Sequence, residues 1–209
     1  MFEDTFGRKK MNKPKIIACG AKAFVGKDYF CDILREILTQ KGFSVEKYSL
    51  ATPLKSLCDE FLIKNFNVSA FSFDAESKTF IRDFLVTVGK MFRSKTKGKY
   101  FTNLLEEYRK LNNHLDYILV PDCRYSLYKE DELQYFQNEN AYIIYLNRWL
   151  EDGTEVGFAN KDEEENAPKI LKGSTSVINW ETFGFDSGKL EAAKIVDQEL
   201  VKILPHFRL

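Results

Sequence analysis

Residues 15–30 constrain this chain more than any other stretch. Ile16 to Cys19 form a short apolar run, and a loop holding Gly20 and Gly26 follows. From Lys27 onward, Phe30, Ile33, Leu34, Ile37 and Leu38 recur at three- and four-residue spacing, the period of a helix. Strand, glycine-containing turn, lysine and helix make the layout of a phosphate-binding loop. Residues 21–28 read A-x-x-x-x-G-K-D, a variant of G-x-x-x-x-G-K-[ST]. Backbone N–H groups and the helix N-terminus would face an anion, Lys27 would reach its terminal phosphates, and Asp28 would contact Mg²⁺ directly or through water. Phe24 and Val25 stand where glycine and serine are more usual. A ligand-free strand-to-helix turn is the bland alternative.

The chain alternates elements from there. Lys41-Gly42 signals a helix end, and Phe43 to Leu50 alternates as a strand does. A second helix starts at Ala51-Thr52-Pro53, with Thr52 as N-cap and Pro53 at the first helical position. Residues 65–75 read as a loop and Glu76 to Phe92 as a helix. Arg93 to Lys99 reads as a mobile basic turn, and Tyr100 to Leu111 as another helix. Tyr117 to Val120 is an apolar run suited to a central parallel strand, followed by Pro121-Asp122-Cys123-Arg124. Leu127 to Asn138 is expected as a helix, Ala141 to Leu146 as a strand, and Thr175 to Trp180 as the last strand. Asp186-Ser187 would cap a closing helix over Gly188 to Leu204. Residues 148–174, poor in apolar side chains, read as a mobile lid, with Glu163 to Glu165 as a solvated face.

This pattern predicts a three-layer α/β fold, a mostly parallel sheet of about five strands flanked by helices. A single domain spans 15–209 after a flexible leader at 1–14, in which Met11 offers a second start. Thirty-one basic residues balance thirty-one acidic ones, which gives no support to a nucleic-acid polymer as partner. No apolar run reaches the length of a membrane span, and the first residues lack the apolar core of a signal peptide. Cys19, Cys31, Cys58 and Cys123 form no C-x-x-C pair, so buried thiols in a reducing cytoplasm are expected rather than zinc or disulfides.

Ligands of open parallel sheets sit beyond the C-terminal strand ends, where the 20–28 loop and the Asp122/Arg124 pair both fall. Asp122 would hold a metal-bound water or a substrate hydroxyl, and Arg124 would clamp a phosphate. Alone, Asp-x-Arg also fits a surface ion pair. Arg82 lies one residue from an apolar helix stripe, facing either the cleft or solvent. Arg93 reads as a solubility charge, and Arg148 begins the lid.

Several blocks together resemble the phage-type deoxynucleoside monophosphate kinases, a branch of the P-loop nucleotide kinases. Gly20 to Asp28 is similar to their G-K-x-x-S-G-K-D loop, and Ala51-Thr52-Pro53-Leu54-Lys55 to their A-x-P-[LI]-K helix start. Ile81 to Gly89 resembles R-x-L-[LM]-Q-x-L-G, Tyr117 to Arg124 the V-x-D-x-R strand end, and Ile143 to Arg148 the strand leading to a lid arginine. The resemblance implies transfer of the γ-phosphoryl of ATP, with Mg²⁺, to a deoxynucleoside monophosphate. ATP would be held by Ala21, Lys22, Ala23, Phe24, Val25, Gly26, Lys27, Asp28 and Tyr29. Arg82 and Arg124 would hold the acceptor phosphate, Asp122 would orient the acceptor or a metal water, and Arg148 would act from the lid. It also implies a cytoplasmic enzyme (host cytoplasm if viral) and leaves a homodimer open. Val86 replaces the usual glutamine, Tyr29 a common threonine, and no H-x-[ST]-E motif occurs between 149 and 174. Phosphomevalonate kinase shares the loop pattern and the D-x-R strand end, which makes a non-nucleotide acceptor the second reading. A nucleotide-binding module without catalysis, its loop spoiled by Phe24 and Val25, is the third.

Overall fold

A computed structural model describes residues 13–20, 22–181 and 188–207. The expected leader, Ala21 and the Asp186-Ser187 cap therefore lie wholly or mostly outside the described residues. The elements run β1 (Lys15–Gly20), α1 (Lys27–Gln40), β2 (Val45–Lys47), α2 (Ala51–Phe66), α3 (Ala75–Thr96), α4 (Lys99–Leu111), β3 (Tyr117–Cys123), α5 (Glu132–Asn138), β4 (Tyr142–Trp149), α6 (Lys161–Gly173), β5 (Ser176–Glu181) and α7 (Gly188–His206).

The five strands form one parallel sheet in the order β2-β3-β1-β4-β5. This is the α/β architecture that the alternating pattern implies, with β1, the strand that leads into the glycine-containing loop, in the middle. Ile16 to Cys19, Ile118 to Val120 and Ile143 to Leu146 are buried. Such continuous apolar runs suit strands covered on both faces. α1 packs against α7, whereas α6 packs against α5, β1 and β4. Ile170 of α6 comes so close to Gly20 that a Cβ there would sit 2.5 Å from its Cγ2. No helix among the described residues is long and apolar enough to cross a membrane.

Four local expectations change. α2 begins at Ala51 with Leu50 as N-cap, not Thr52, because the cap oxygens arrive from Asp122 on β3. The expected basic turn at 93–99 is helical as far as Thr96, and Arg93 is buried. The guanidinium lies between the rings of Phe101 and Tyr125 and pairs with Glu132. α5 starts only at Glu132, since Asp131 caps it and also accepts from the Leu127 N–H at 3.1 Å, holding 127–131 as a turn.

The fourth change is in the stretch read as a lid. β4 continues to Trp149, which forms an antiparallel bridge with Glu155. α6 then buries Glu163, Asn166, Ala167 and Ile170. Glu163 is not part of a solvated face. Away from the sheet, α2 and α3 carry an aromatic ridge: Phe61 stacks on Phe84 at 5.5 Å, and Phe66 meets Phe80 at 5.6 Å. Phe61, Phe66 and Phe80 are each about half exposed.

Candidate active site

β1 ends at Gly20, where a side chain would collide with Ile170 and crowd the Cys123 carbonyl at 3.2 Å. The chain then turns back on itself before α1. Phe24 has φ 63 and Gly26 has φ 86, the left-handed region that favours glycine. At Phe24, a position where the motif more often has a small residue, the strained backbone leaves the ring 65% exposed. Arg82 of α3 lies over that ring at 5.1 Å. Arg82 therefore faces the loop rather than bulk solvent, which settles the alternative left open by its helix position.

Val25 and Tyr29 meet Trp180 of β5. Val25 is fully buried, and its carbonyl accepts from the Trp180 indole N–H at 2.8 Å. Tyr29 lies 6.3 Å from the same indole, and Phe30 makes an edge contact with it at 5.8 Å. Any Cβ on Gly26 would stand 2.8 Å from the Trp180 ring. Trp180 on β5 is thus the mould against which the loop's far side is cast. It was not recognised in the sequence, where it looks like an ordinary strand aromatic.

Lys27 is buried, and its ammonium donates to the Lys22 carbonyl. Burial pushes its pKa down to about 8, with the neighbouring Arg124 adding to the shift and Glu163 opposing it. Lys22 points elsewhere: its ammonium pairs with Glu155, donates to the Val156 carbonyl at 2.9 Å and lies over the Phe158 ring. Its side chain fastens the 155–158 segment to the loop. Arg148 at the end of β4 donates to the Phe24 carbonyl at 3.1 Å. Asp28 in the first turn of α1 is largely exposed and pairs with Lys47 at 3.3 Å.

Opposite the loop lies a cleft of about 410 Å³. Its lining brings Ala23, Phe24 and Asp28 together with Arg82, Asp122 and Arg124, and adds Leu54, Lys55, Lys78, Leu85 and Val86. Lys22, Val25, Gly26, Lys27, Tyr29 and Arg148 are not among its lining residues. Arg93, the expected solubility charge, does line it.

Asp122 has three partners within the fold. Its carboxylate accepts from the Ser49 hydroxyl at 2.7 Å and from the Leu50 and Ala51 N–H groups at 2.9 Å each. It caps α2 from a strand more than seventy residues away in sequence. Arg124 is set by Glu132, whose buried carboxylate accepts from the backbone N–H groups of Arg124 and Tyr125 at 2.6 and 3.0 Å.

The residue most underestimated by sequence is Glu163. Both its oxygens accept from the Ala23 N–H at 3.1 Å, one accepts from the Ala159 N–H at 3.0 Å, and Arg124 donates to it at 3.4 Å. The legible signal was Asn160-x-x-Glu163, the spacing of a capping box. Asn160 does cap α6 through the Glu163 N–H at 3.0 Å.

No protein-family model matches the chain, and no curated protein matches it. Among solved structures it is similar to the crystal structure of APE1195, with 12% identity and a TM-score of 0.38, over 94% of this chain and 98% of that one. It is also similar to the Mycobacterium tuberculosis APS kinase CysC in complex with AMPPNP and APS, with 11% identity and a TM-score of 0.39, over 92% of this chain and 98% of that one.

Proposed function

We propose that this chain transfers the γ-phosphoryl group of ATP to a deoxynucleoside 5′-monophosphate. The observation that carries the reading is the cleft in which Ala23, Phe24 and Asp28 of the loop face Arg82 and Arg124. A loop leading into a helix start on one wall and arginines on the other suit two phosphate-bearing substrates held end to end. In the reaction an oxygen of the acceptor phosphate bonds to the γ-phosphorus, the bond from that phosphorus to the bridging oxygen breaks, and ADP leaves. The acceptor phosphate is already ionised, so no general base is needed, and catalysis rests on positioning and charge. Asp122 fits this account as a positioning residue: it fixes the start of α2, from which Leu54 and Lys55 reach the cleft.

Lys27 would lie against the β- and γ-phosphates, Arg82 and Arg124 would grip the acceptor phosphate, and Arg148 would brace the loop through the Phe24 carbonyl. The exposed carboxylate of Asp28 would hold Mg²⁺, directly or through water. That ion would neutralise charge on the transferring group.

One observation favours the second reading, a small phosphorylated acceptor such as phosphomevalonate. On the α3 side the cleft offers Ile81, Leu85 and Val86, apolar where a side-chain amide would pair with a base edge. An ADP-release assay with Mg-ATP over deoxynucleoside monophosphates, ribonucleoside monophosphates and phosphomevalonate separates the two. Turnover with the deoxynucleotides is expected. Turnover with phosphomevalonate alone would replace the first reading by the second, and Mg-ATP binding without turnover would leave only a nucleotide-binding module.

The homodimer proposal rests on the Phe61/Phe66/Phe80/Phe84 ridge, since monomers rarely leave large contiguous apolar patches exposed. A second copy is expected to cover it, and sedimentation of the wild type against Phe80→Glu checks this: a monomeric wild type would contradict it.

A further inference from the structure

Resting on that reading of the loop, we propose that the Glu163 carboxylate occupies the terminal-phosphate seat, and that an incoming polyphosphate must turn it out. Glu163 thereby sets the affinity of the loop for nucleotide. Glu163 is only 6% exposed, and its partners are those an anion needs: the Ala23 N–H, the Ala159 N–H and the Arg124 guanidinium. A phosphate oxygen would take over the Ala23 N–H and the Arg124 guanidinium, leaving the Ala159 N–H without its acceptor. Lys27 and Arg124, two neighbouring cations, have Glu163 and Asp122 as anions nearby, and of these Glu163 is the one that Arg124 donates to. A polyphosphate arriving beside a retained carboxylate would bring like charges together in a poorly hydrated site, where repulsion is strong.

Helix capping alone does not account for the geometry. In a capping box the third-position glutamate turns back to the N-cap N–H. Here it turns instead to Ala159 and reaches across to Ala23, 140 residues away. The rest of α6 is anchored: Asn160 caps it, Ala167 and Ile170 are buried, and Asp162 pairs with Lys90 of α3 at 2.7 Å. Displacement therefore needs only a rotation of the Glu163 side chain, with the helix left in place.

Calorimetry with Mg-ATP and with Mg-tripolyphosphate, which lacks the base, tests this. Removing the internal competitor in Glu163→Gln is expected to tighten both ligands roughly tenfold, as when a closed state no longer drains the binding-competent one. Glu164→Gln, an exposed neighbour with the same change of charge, is expected to bind as wild type does. In the wild-type protein, hydrogen exchange at the Ala159 amide should quicken when Mg-ATP is added, because its acceptor leaves. Wild-type binding with no gain in Glu163→Gln, or an equal gain in Glu164→Gln, overturns this inference alone, as does an unchanged or slower Ala159 amide. Failure of all three proteins to bind either ligand overturns it together with the proposed function.

Discussion

The 22–28 loop, proposed to hold the donor, and the wall of Arg82, Asp122 and Arg124, proposed to hold the acceptor, meet at one cleft and are held in different ways. The loop carries two left-handed residues, Phe24 and Gly26, just before a helix start, and Trp180 packs against its far side. The wall opposite gathers Arg82 from α3, Asp122 from β3 and Arg124 just beyond it. It is fixed by buried polar contacts, Asp122 to the start of α2 and Glu132 to Arg124. A fault in the loop should therefore damage the chemistry and leave the fold, whereas a fault in the wall should damage the fold and weaken the acceptor.

The largest effect should come from Lys27→Ala, which removes the fixed charge proposed for the phosphates. Turnover is expected to fall by roughly 10²–10³-fold or more, the scale of losing one preorganised electrostatic group, with thermal stability kept. Near-wild-type turnover would break the comparison on the donor side.

Asp122→Ala tests the other side. It strands the Leu50 and Ala51 N–H groups and the Ser49 hydroxyl at a helix start, at a cost of about 2–3 kcal/mol. For a chain of this size that lowers the melting temperature by roughly 5–10 °C, while Mg-ATP affinity should change little. An unaltered melting temperature with abolished turnover would instead restore Asp122 to the chemistry.

Arg82→Ala is expected to raise the acceptor KM roughly tenfold, about the worth of one charge-assisted hydrogen bond. Mg-ATP affinity should hold. A selective loss of ATP binding would move Arg82 from the wall to the loop, through its contact with Phe24.

The smallest effect is a protonic one. Lys27 titrates near 8 in the folded chain, below its ordinary value of 10.5. From about pH 8 to 10.5 the unfolded chain holds a proton that folded Lys27 has released, so this residue's contribution to stability rises with pH across that window. Phosphate beside the ammonium would pull the pKa back up. Mg-ATP binding at pH 8.5 should then take up a fraction of a proton, seen by calorimetry in two buffers of different ionisation heat and lost in Lys27→Met. Equal heats in both buffers would contradict it.

What the sequence made legible divides along the same line. The donor loop is a local object, so the apolar run, Gly26, Lys27 and the helical spacing after it announce it without the rest of the fold. The central strands are equally plain, because burial on both faces leaves continuous apolar runs. The wall was hidden, because its polar residues find partners far along the chain. The cap that Asp122 gives α2 was not foreseen, and Arg93 looked solvated and lies between two rings. Glu163 sat in an acidic run whose neighbours Glu164 and Glu165 are indeed exposed, and nothing local distinguishes the one turned inward. Val25 and Tyr29 make sense only with Trp180, supplied by β5 some 150 residues later.

The central claim is that loop and wall form one two-substrate site. It is tested most directly by calorimetry with a bisubstrate ligand, adenosine joined to thymidine by five phosphates. The account predicts one-to-one binding, competed by both Mg-ATP and thymidine monophosphate, weakened by Lys27→Ala and by Arg82→Ala alike. Binding competed by Mg-ATP alone and insensitive to Arg82 would contradict it, leaving a donor loop with no acceptor half.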